Sequence, residues 1–566
     1  MREKVTVQSF ADALGMENLI SSINGATPCS GIMSLYTEDD GKKAAETEVT
    51  GVTYNSKEAG PGYLFVVKGA HFKEEYLDEA VKRGAVCYVR EEAASSDAGE
   101  CSTGAAESST GGAECNIDAA NGSTDDAECS AGVASKSKVE FAEGEPVAIG
   151  VKDIRKAMPI IAETFYGKLS DTLTVIGITG TKGKSTTTYY MRYILDDWMA
   201  ATGGKRSAVC SGIDNYDGVI EEESHLTSPE IMELYQHMNN AIESGITYMT
   251  MEVSSQALKY DRVTGVNLAA GALLNIGSDH ISPLEHPDFD DYKQAKLRIF
   301  EHCRKACYSL ESDELESIKE ASKNCPYVIT FSQKDESADV FGYDIKSVEG
   351  KVSFKVRGRG IEGYDDFDEE ITLGTFGTIN IENALAAVSL SALVGVPMEY
   401  VKSGLAKAKS PGRMEVFYSE DGKRIAIVDY AHNKLSYERF FDTMKDEFPG
   451  KKMIIVFGCP GLKALARREE LGTIAGERCE FSIITEEDYG EEDVNKICAE
   501  IAGFVEAAGG MYDIITDRVE AIKKAITMMD DETILFLPGK GRETREKRGN
   551  AYIDTPSDVE VVEKYL

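Results

Sequence analysis

Residues 172–190 read TLTVIGITGTKGKSTTTYY. Thr172 to Ile178 alternate and then run apolar, as a buried strand does. Gly180 and Gly183 break that run, and Thr187 to Asp196 read as a helix. A strand, a glycine turn and a helix in that order aim backbone N–H groups and a helix N-terminus at one point, which suits phosphate. Lys184 then bridges the outer phosphates and Ser185 holds Mg2+. The general pattern G-x-x-x-x-G-K-[ST] asks for glycine at position 178, where the chain has Ile178. Gly177, Gly180, Thr181, Gly183, Lys184, Ser185 and Thr186 fit G-x-x-G-T-x-G-K-[ST]-[ST] instead. The plain alternative is a glycine turn that binds nothing.

That variant resembles the phosphate loop of the Mur ligase and folylpolyglutamate synthetase superfamily. The rest of the chain bounds what such a loop serves. Its 566 residues call for several domains, and 61 Lys plus Arg against 97 Asp plus Glu leave a net charge of −36. An acidic surface argues against a nucleic-acid partner and against anionic membrane. The first twenty residues hold no apolar signal core, and no apolar run approaches the roughly 18 residues of a membrane span. A cytoplasmic monomer is the expectation. The 12 cysteines include no C-x-x-C pair, so reduced thiols are expected rather than a zinc ribbon or a disulfide framework.

The fold class expected is α/β in three domains: residues 1–151, 152–411 and 412–566. The first reads as a small α/β unit, with a Pro61-Gly62 turn and a strand over Tyr63 to Val67. Within it, residues 93–140 are almost devoid of large apolar side chains, and GEC, AEC, AEC repeat at Cys101, Cys115 and Cys129. Such composition cannot bury enough apolar area to offset its ordering entropy, so a disordered insertion is expected. The second reads as a central parallel sheet around the phosphate loop. In the third, apolar runs at 424–428, 452–457, 481–485 and 533–537 alternate with helical stretches, which means a parallel, Rossmann-like sheet. Gly180, Glu252, Asn275, Asp429, Thr485 and Gly539 all fall at or just past the C-terminal ends of these strands, the edge where open parallel sheets bind ligands.

Further phrases narrow the resemblance to the Mur ligase branch that adds the third residue of the muramyl peptide. They are TSPE at 227–230, MEVSSQAL at 251–258, NIGSDH at 275–280 with AKLRIF at 295–300, GTINIENALAA at 377–387, PGRMEV at 411–416, DYAH at 429–432 and GKGRE at 539–543. The resemblance implies ATP and Mg2+ as cosubstrate and cofactor, and UDP-muramyl-dipeptide and a free amino acid as partners. A carboxylate is a poor electrophile; ATP phosphorylates it, and an amine then displaces phosphate. Such chemistry needs preorganised cations around the phosphoryl group.

Carried over residue by residue, Gly180, Thr181, Lys182, Gly183, Lys184, Ser185 and Thr186 cradle the triphosphate. Asn275, Asn380 and Asn383 reach adenine; Arg413, Asp429, Tyr430 and His432 reach ATP from the third domain. Ser185, Glu252 and His280 hold metal. Lys296 matches a lysine that the family carbamylates to N6-carboxylysine; unmodified, it is a helix-face lysine, and sequence does not separate the two. Lys184, Glu252, His280 and Lys296 form the catalytic set. Ser56, in the phrase Asn55-Ser56-Lys57, resembles a uridine-nucleotide contact, and Thr227, Ser228, Ser254 and Arg262 resemble contacts to the muramyl dipeptide. Departures from the family pattern include Ile379 for Phe, Lys434 for Pro and Arg542 for His.

Branches that add meso-diaminopimelate carry Asp-Asn-Pro-Arg, whose arginine holds the distal carboxylate. The aligned residues here are Glu487, Asp488, Tyr489 and Gly490, inside the acidic run EEDYGEED. An ammonium is attracted there and a carboxylate repelled, so the added residue is expected to be L-lysine or another diamine such as ornithine. The run could equally be an acidic helix entrance that touches no substrate. Glu487, Asp488, Gly539 and Glu543 are the expected amino-acid contacts. Diaminopimelate, and a folylpolyglutamate-type activity, stand as the alternatives.

Overall fold

A computed structural model describes residues 4–24, 39–69, 72–92, 145–224, 226–277, 281, 285–348, 350–462 and 465–566. Asp279, His280, Lys463 and the 93–140 insertion with its three cysteines lie outside the described residues. The chain divides into two compact units, Met1–Gly167 and Lys168–Leu566. The helix Ile154–Tyr166 packs within the first unit, so that unit ends 16 positions beyond the 151 expected from sequence. No described helix is long and apolar enough to cross a membrane.

The first unit carries a five-stranded sheet in the order Ile20–Ile23, Val147–Val151, Cys87–Glu91, Tyr63–Val67, Gly51–Thr53. The first pair is antiparallel and the rest parallel. The low-complexity segment connects two strands that are direct neighbours, Cys87 pairing with Val147. Ser56 is buried, and its hydroxyl donates to Glu79 Oε2 at 2.7 Å.

In the second unit, an eleven-stranded sheet is built outward from Thr174–Thr179. Tyr248–Glu252 and Ala270–Leu273 pair with it in parallel on either side. Every residue of those two strands but Tyr248 is buried, Thr250 and Glu252 included, as in a parallel sheet covered on both faces. Lys305–Ser309 and Tyr327–Ser332 extend the parallel stretch. Beyond them stand three long strands, Val340–Val348, Lys351–Gly358 and Phe367–Phe376, joined antiparallel. The helix Ile381–Val394 is apolar almost all round and lies in the core beside Ile178, Tyr190 and Phe354. The phosphate-loop helix runs Lys184–Thr202, starting three residues before the sequence reading placed it; Gly183, at φ 88°, turns the chain so that Lys184 and Ser185 enter the first turn.

A six-stranded sheet follows, in the order Glu415–Tyr418, Ile425–Asp429, Thr533–Pro538, Lys452–Phe457, Phe481–Ile484, Tyr512–Ile514. Only the first pair is antiparallel. At the end of its central strand, Arg518 makes a buried bidentate pair with Asp558, at 2.7 Å through both nitrogens, and donates to the Pro538 carbonyl at 2.8 Å. The loop 539–543 is therefore launched from a fixed point.

Candidate active site

The C-terminal edges of the two sheets in the second unit face shared clefts. The larger is about 920 Å3 and the smaller about 470 Å3. Lys182, Gly183, Thr186 and Arg413 line both, so the phosphate loop is the wall between them.

Two glycines shape that loop. A Cβ on Gly180 (φ 158°) would stand 2.9 Å from Leu274, and one on Gly183 would overlap the Asn383 amide. Asn275 holds the loop from the neighbouring strand: its Oδ1 accepts from Lys182 N at 2.9 Å and its carbonyl accepts from Thr181 N at 2.9 Å. Thr181 Oγ1 meets the Tyr292 hydroxyl at 3.0 Å. Lys184 Nζ donates to the Gly180 carbonyl at 2.9 Å, and Lys296 Nζ, almost fully buried, donates to the same oxygen at 2.9 Å. Two ammonium groups thus meet on one backbone oxygen beneath the loop. Lys296 does not line either cleft.

Glu252 ends the strand next to the loop and is 1% exposed, yet it lines the larger cleft together with Lys184 and Ser185. Its Oε1 accepts from Gly212 N at 2.8 Å. Ser228 Oγ donates to the Glu252 carbonyl at 2.9 Å, and Ser254 accepts from Ala257 N as a helix cap. Ser228 and Ser254 therefore brace the strand tip, while Thr227 reaches the cleft. Arg262 pairs with Glu230 at 2.8 Å, away from both clefts.

The second sheet closes the site. Arg413 donates to Ser185 Oγ at 3.3 Å and lies 4.7 Å over the Tyr430 ring. Asp429 accepts from Met414 N at 2.7 Å; burial pushes its carboxyl up, against the opposing pull of Arg413. His432 Nδ1 contacts the Tyr430 carbonyl at 2.8 Å. Asn380 donates to the Phe376 carbonyl at 2.8 Å and Asn383 donates to Asn380 Oδ1 at 3.1 Å. Asn275, Asn380, Asn383 and Asp429 line the smaller cleft; His432, Asp488 and Glu543 line the larger.

At the far end of the larger cleft the acidic run is not the bare charge patch that its sequence suggests. Glu486 pairs with Arg548 at 2.6 Å, and Glu492 with Arg468 at 2.6 Å, which holds Glu492 down to about 2. Glu487 and Gly539, both expected amino-acid contacts, stand off the cleft wall: the Glu487 carboxyl packs over Gly539, whose φ of 104° and missing side chain make the room. Burial pushes Glu487 up to about 8, against the pull of Arg518 and Lys540. The negative charge facing the cleft belongs instead to Asp488 and Glu543, with Glu546 behind them. All three surround Lys540, at 3.2, 2.7 and 3.4 Å. Burial pulls the Lys540 ammonium down, but Glu543, Glu546 and Asp488 outweigh it.

Glu487 carries a pH signature. The folded chain keeps a proton that the unfolded chain releases near the ordinary value of 4.5. Its contribution to stability is therefore fully present below about 4.5 and is lost as pH rises to about 8. Glu487→Gln should lose less stability than the native chain across that window. Chemical denaturation at pH 5 and pH 8 measures it; equal losses in both proteins would mean that Glu487 is ionised throughout.

Sequence reasoning does not reach Asp214, Lys540, Arg542, Arg545 and Tyr552, all on the larger cleft, whereas Tyr430, expected from the DYAH phrase, lines it too. Lys540 sits inside the GKGRE phrase at 539–543, which is the signal that could have found it. Arg545 and Tyr552 belong to a two-stranded ribbon, Arg545–Arg548 with Ala551–Asp554, too polar to register as strands.

The chain is similar to known proteins over most of its length. Residues 178–391 match the Mur ligase middle domain, and residues 412–541 match the Mur ligase, glutamate ligase domain. The chain is 32% identical over 528 residues to the UDP-N-acetylmuramoyl-L-alanyl-D-glutamate--L-lysine ligase of Enterococcus faecalis, covering 92% of each chain. It is 32% identical over 576 residues to the UDP-N-acetylmuramyl-tripeptide synthetase of Bifidobacterium longum, covering 99% of each. A solved UDP-N-acetylmuramoyl-L-alanyl-D-glutamate--2,6-diaminopimelate ligase shares the fold at a TM-score of 0.57 and 19% identity, over 92% of this chain and 95% of that one.

Proposed function

This chain belongs to the Mur ligase family, and we propose that it joins L-lysine to UDP-N-acetylmuramoyl-L-alanyl-D-glutamate, using ATP and releasing ADP and phosphate. The observation that carries the reading is one cleft holding Lys184 and Ser185 of the phosphate loop, Glu252 of the strand tip, and Asp488 and Glu543 of the second sheet. The relatives that name lysine support the choice of amino acid, as do the carboxylates at its far end.

The nucleotide base lies in the smaller cleft beside Asn275, Asn380 and Asn383, and the triphosphate crosses the shared wall of Lys182, Gly183 and Thr186. Lys184 and Arg413 place positive charge on the outer phosphates. The substrate carboxylate attacks the terminal phosphorus, and ADP leaves. The lysine amine then attacks the acyl carbon, the C–O bond to the phosphoryl group breaks, and inorganic phosphate departs. Charge develops on phosphoryl oxygens throughout, so cations fixed beforehand lower the barrier.

Among the described residues no three His, Cys, Asp or Glu side chains form a ready metal cage. Mg2+ does not require one, since it binds through one or two carboxylates plus substrate phosphates. Glu252 fits: a carboxylate 1% exposed, on the cleft wall with Ser185, is costly without a counter-charge. Glu252 and Ser185 are the residues to hold it. Bound there, Mg2+ neutralises phosphate charge and polarises the terminal phosphoryl group. Ser228 and Ser254 act by bracing the strand tip that carries Glu252, and Lys296, carbamylated or not, acts from beneath the loop.

An amino-acid panel tests the reading. With UDP-muramyl-dipeptide, ATP and Mg2+, phosphate release should depend on lysine far more than on ornithine or meso-diaminopimelate. Release with diaminopimelate alone would overturn the choice of amino acid; release with none would overturn the ligase.

A further inference from the structure

One buried histidine takes no part in the chemistry just described. His286 is 0% exposed and lines neither cleft. Its Nδ1 stands 2.6 Å from Asp291 Oδ2, and its Nε2 stands 2.9 Å from Ser255 Oγ. Serine, histidine and aspartate in that order are the set of a hydrolase. Ser255 is buried and off both clefts as well, so no acyl group reaches its hydroxyl, and the set does something else.

We propose that His286 is a positioning residue for the phosphate loop, acting through the helix Phe289–Leu297; the inference rests on the nucleotide half of the ligase reading above. Two helices meet at the imidazole. One is Ser255–Lys259, which follows the strand ending in Glu252. The other is the first turn of Phe289–Leu297. Burial pushes the Asp291 carboxyl up, but Lys259, at 2.6 Å, and His286 outweigh it and hold it below the usual carboxylate range. An ionised carboxylate only accepts, so His286 Nδ1 carries the proton and Nε2 faces the Ser255 hydroxyl. Lys259 also donates to the Glu285 carbonyl at 3.1 Å. The circuit therefore runs from Ser255 through His286 and Asp291 back to Lys259, and it clamps the two helices together.

The clamped helix delivers two side chains to the phosphate loop. The Tyr292 ring packs edge-on against His286, with centroids 5.2 Å apart. Its hydroxyl meets Thr181 Oγ1 at 3.0 Å, and Thr181 Oγ1 also accepts from Gly277 N at 2.9 Å. One turn on, Lys296 Nζ lies 4.7 Å from the centre of the same ring and donates to the Gly180 carbonyl at 2.9 Å. Gly180 and Thr181 are the residues by which the chain leaves the strand Thr174–Thr179 for the loop. A slip of the helix moves both contacts, and a misplacement of about 1 Å at a reacting phosphate costs about 10²-fold. Histidine suits this post because a rigid ring bonds in two directions at once.

The test reads MgADP affinity by calorimetry in wild type, His286→Leu, His286→Asn, His286→Gln and Tyr292→Phe, beside KM for lysine. Asparagine brings an amide to where Nδ1 stood and glutamine to where Nε2 stood, so each keeps one of the two bonds. His286→Leu should bind MgADP about 10-fold more weakly, the size of one lost hydrogen bond to a charged group, with KM for lysine within about 2-fold of wild type. The asparagine and glutamine variants should fall between, and they carry the comparison if the leucine variant does not fold. Tyr292→Phe should weaken MgADP binding too. Added to His286→Leu it should cost less than it does alone, because both act through one helix. Calorimetric stoichiometry reports the folded fraction separately from the affinity. Unchanged MgADP affinity in the His286 variants, a rise in KM for lysine as large as the loss of MgADP affinity, or losses that multiply in the double variant would overturn the assignment. Wild type that binds MgADP but joins no amino acid would sink the ligase reading, while the MgADP comparison still decides this one.

Discussion

Lys184→Ala should lower lysine-dependent phosphate release by at least about 10²–10³-fold, the range seen when one preorganised group facing developing charge is removed. Its ammonium rests 2.9 Å from the Gly180 carbonyl, at the first turn of the phosphate-loop helix, so it is held in place before any nucleotide arrives. The loss should fall mainly on kcat, because charge on the transferring group is greatest in the transition state. The fold should persist. The loop's shape comes from Gly180, Gly183 and the Asn275 clasp, none of which needs the lysine side chain. Initial rates of ADP release, with a thermal melt of each protein, make the measurement. Unchanged turnover would favour a nucleotide-binding protein that uses this loop for something other than catalysis.

Glu252→Gln should cost about as much, for a different reason. The amide keeps an oxygen for the Gly212 N–H, now at 2.8 Å from Oε1, so the strand tip stays intact. What disappears is a negative charge that is 1% exposed. Taking that charge out of the interior should leave stability equal or higher. Turnover should fall by about 10²-fold or more, with half-saturation moving to higher Mg2+ concentration. Glu252→Ala is the contrasting variant: it leaves the Gly212 N–H unsatisfied and should cost about 1–3 kcal/mol of stability as well. A Glu252→Gln protein with normal turnover and normal Mg2+ dependence would remove Glu252 from the metal site.

The central architecture was legible because its signals are local. Thr174–Thr179, Gly180, Gly183 and Lys184 are contiguous, and a buried parallel strand followed by glycines has few other readings. The strand ends that carry Glu252 and Asp429 were legible for the same reason: each closes an apolar run. The antiparallel strands from 340 to 376 went unread because they hold no continuous apolar run: charged side chains such as Lys351, Lys355 and Glu370 interrupt them. The acidic run shows the opposite limit. Its charge was visible, but its partners were not, since Arg548 lies 62 positions from Glu486 and Lys540 lies 52 from Asp488. Sequence located an acidic end to the cleft; only the fold separates the carboxylates that face it from those already paired. Ser56 belongs to the same class, its hydroxyl committed to Glu79, 23 positions away.

The proposed reaction makes a carboxyl group into an acyl phosphate in the cleft between the phosphate loop and the second sheet. Label followed from carbon to phosphorus tests this most directly. UDP-muramyl-dipeptide carrying 18O in its terminal carboxylate, turned over with ATP and lysine, should yield inorganic phosphate bearing one 18O per molecule, with the other labelled oxygen kept in the new amide. Phosphate free of label, alongside product formation, would mean that water and not the carboxylate takes the phosphoryl group, and the mechanism proposed for this cleft would be contradicted.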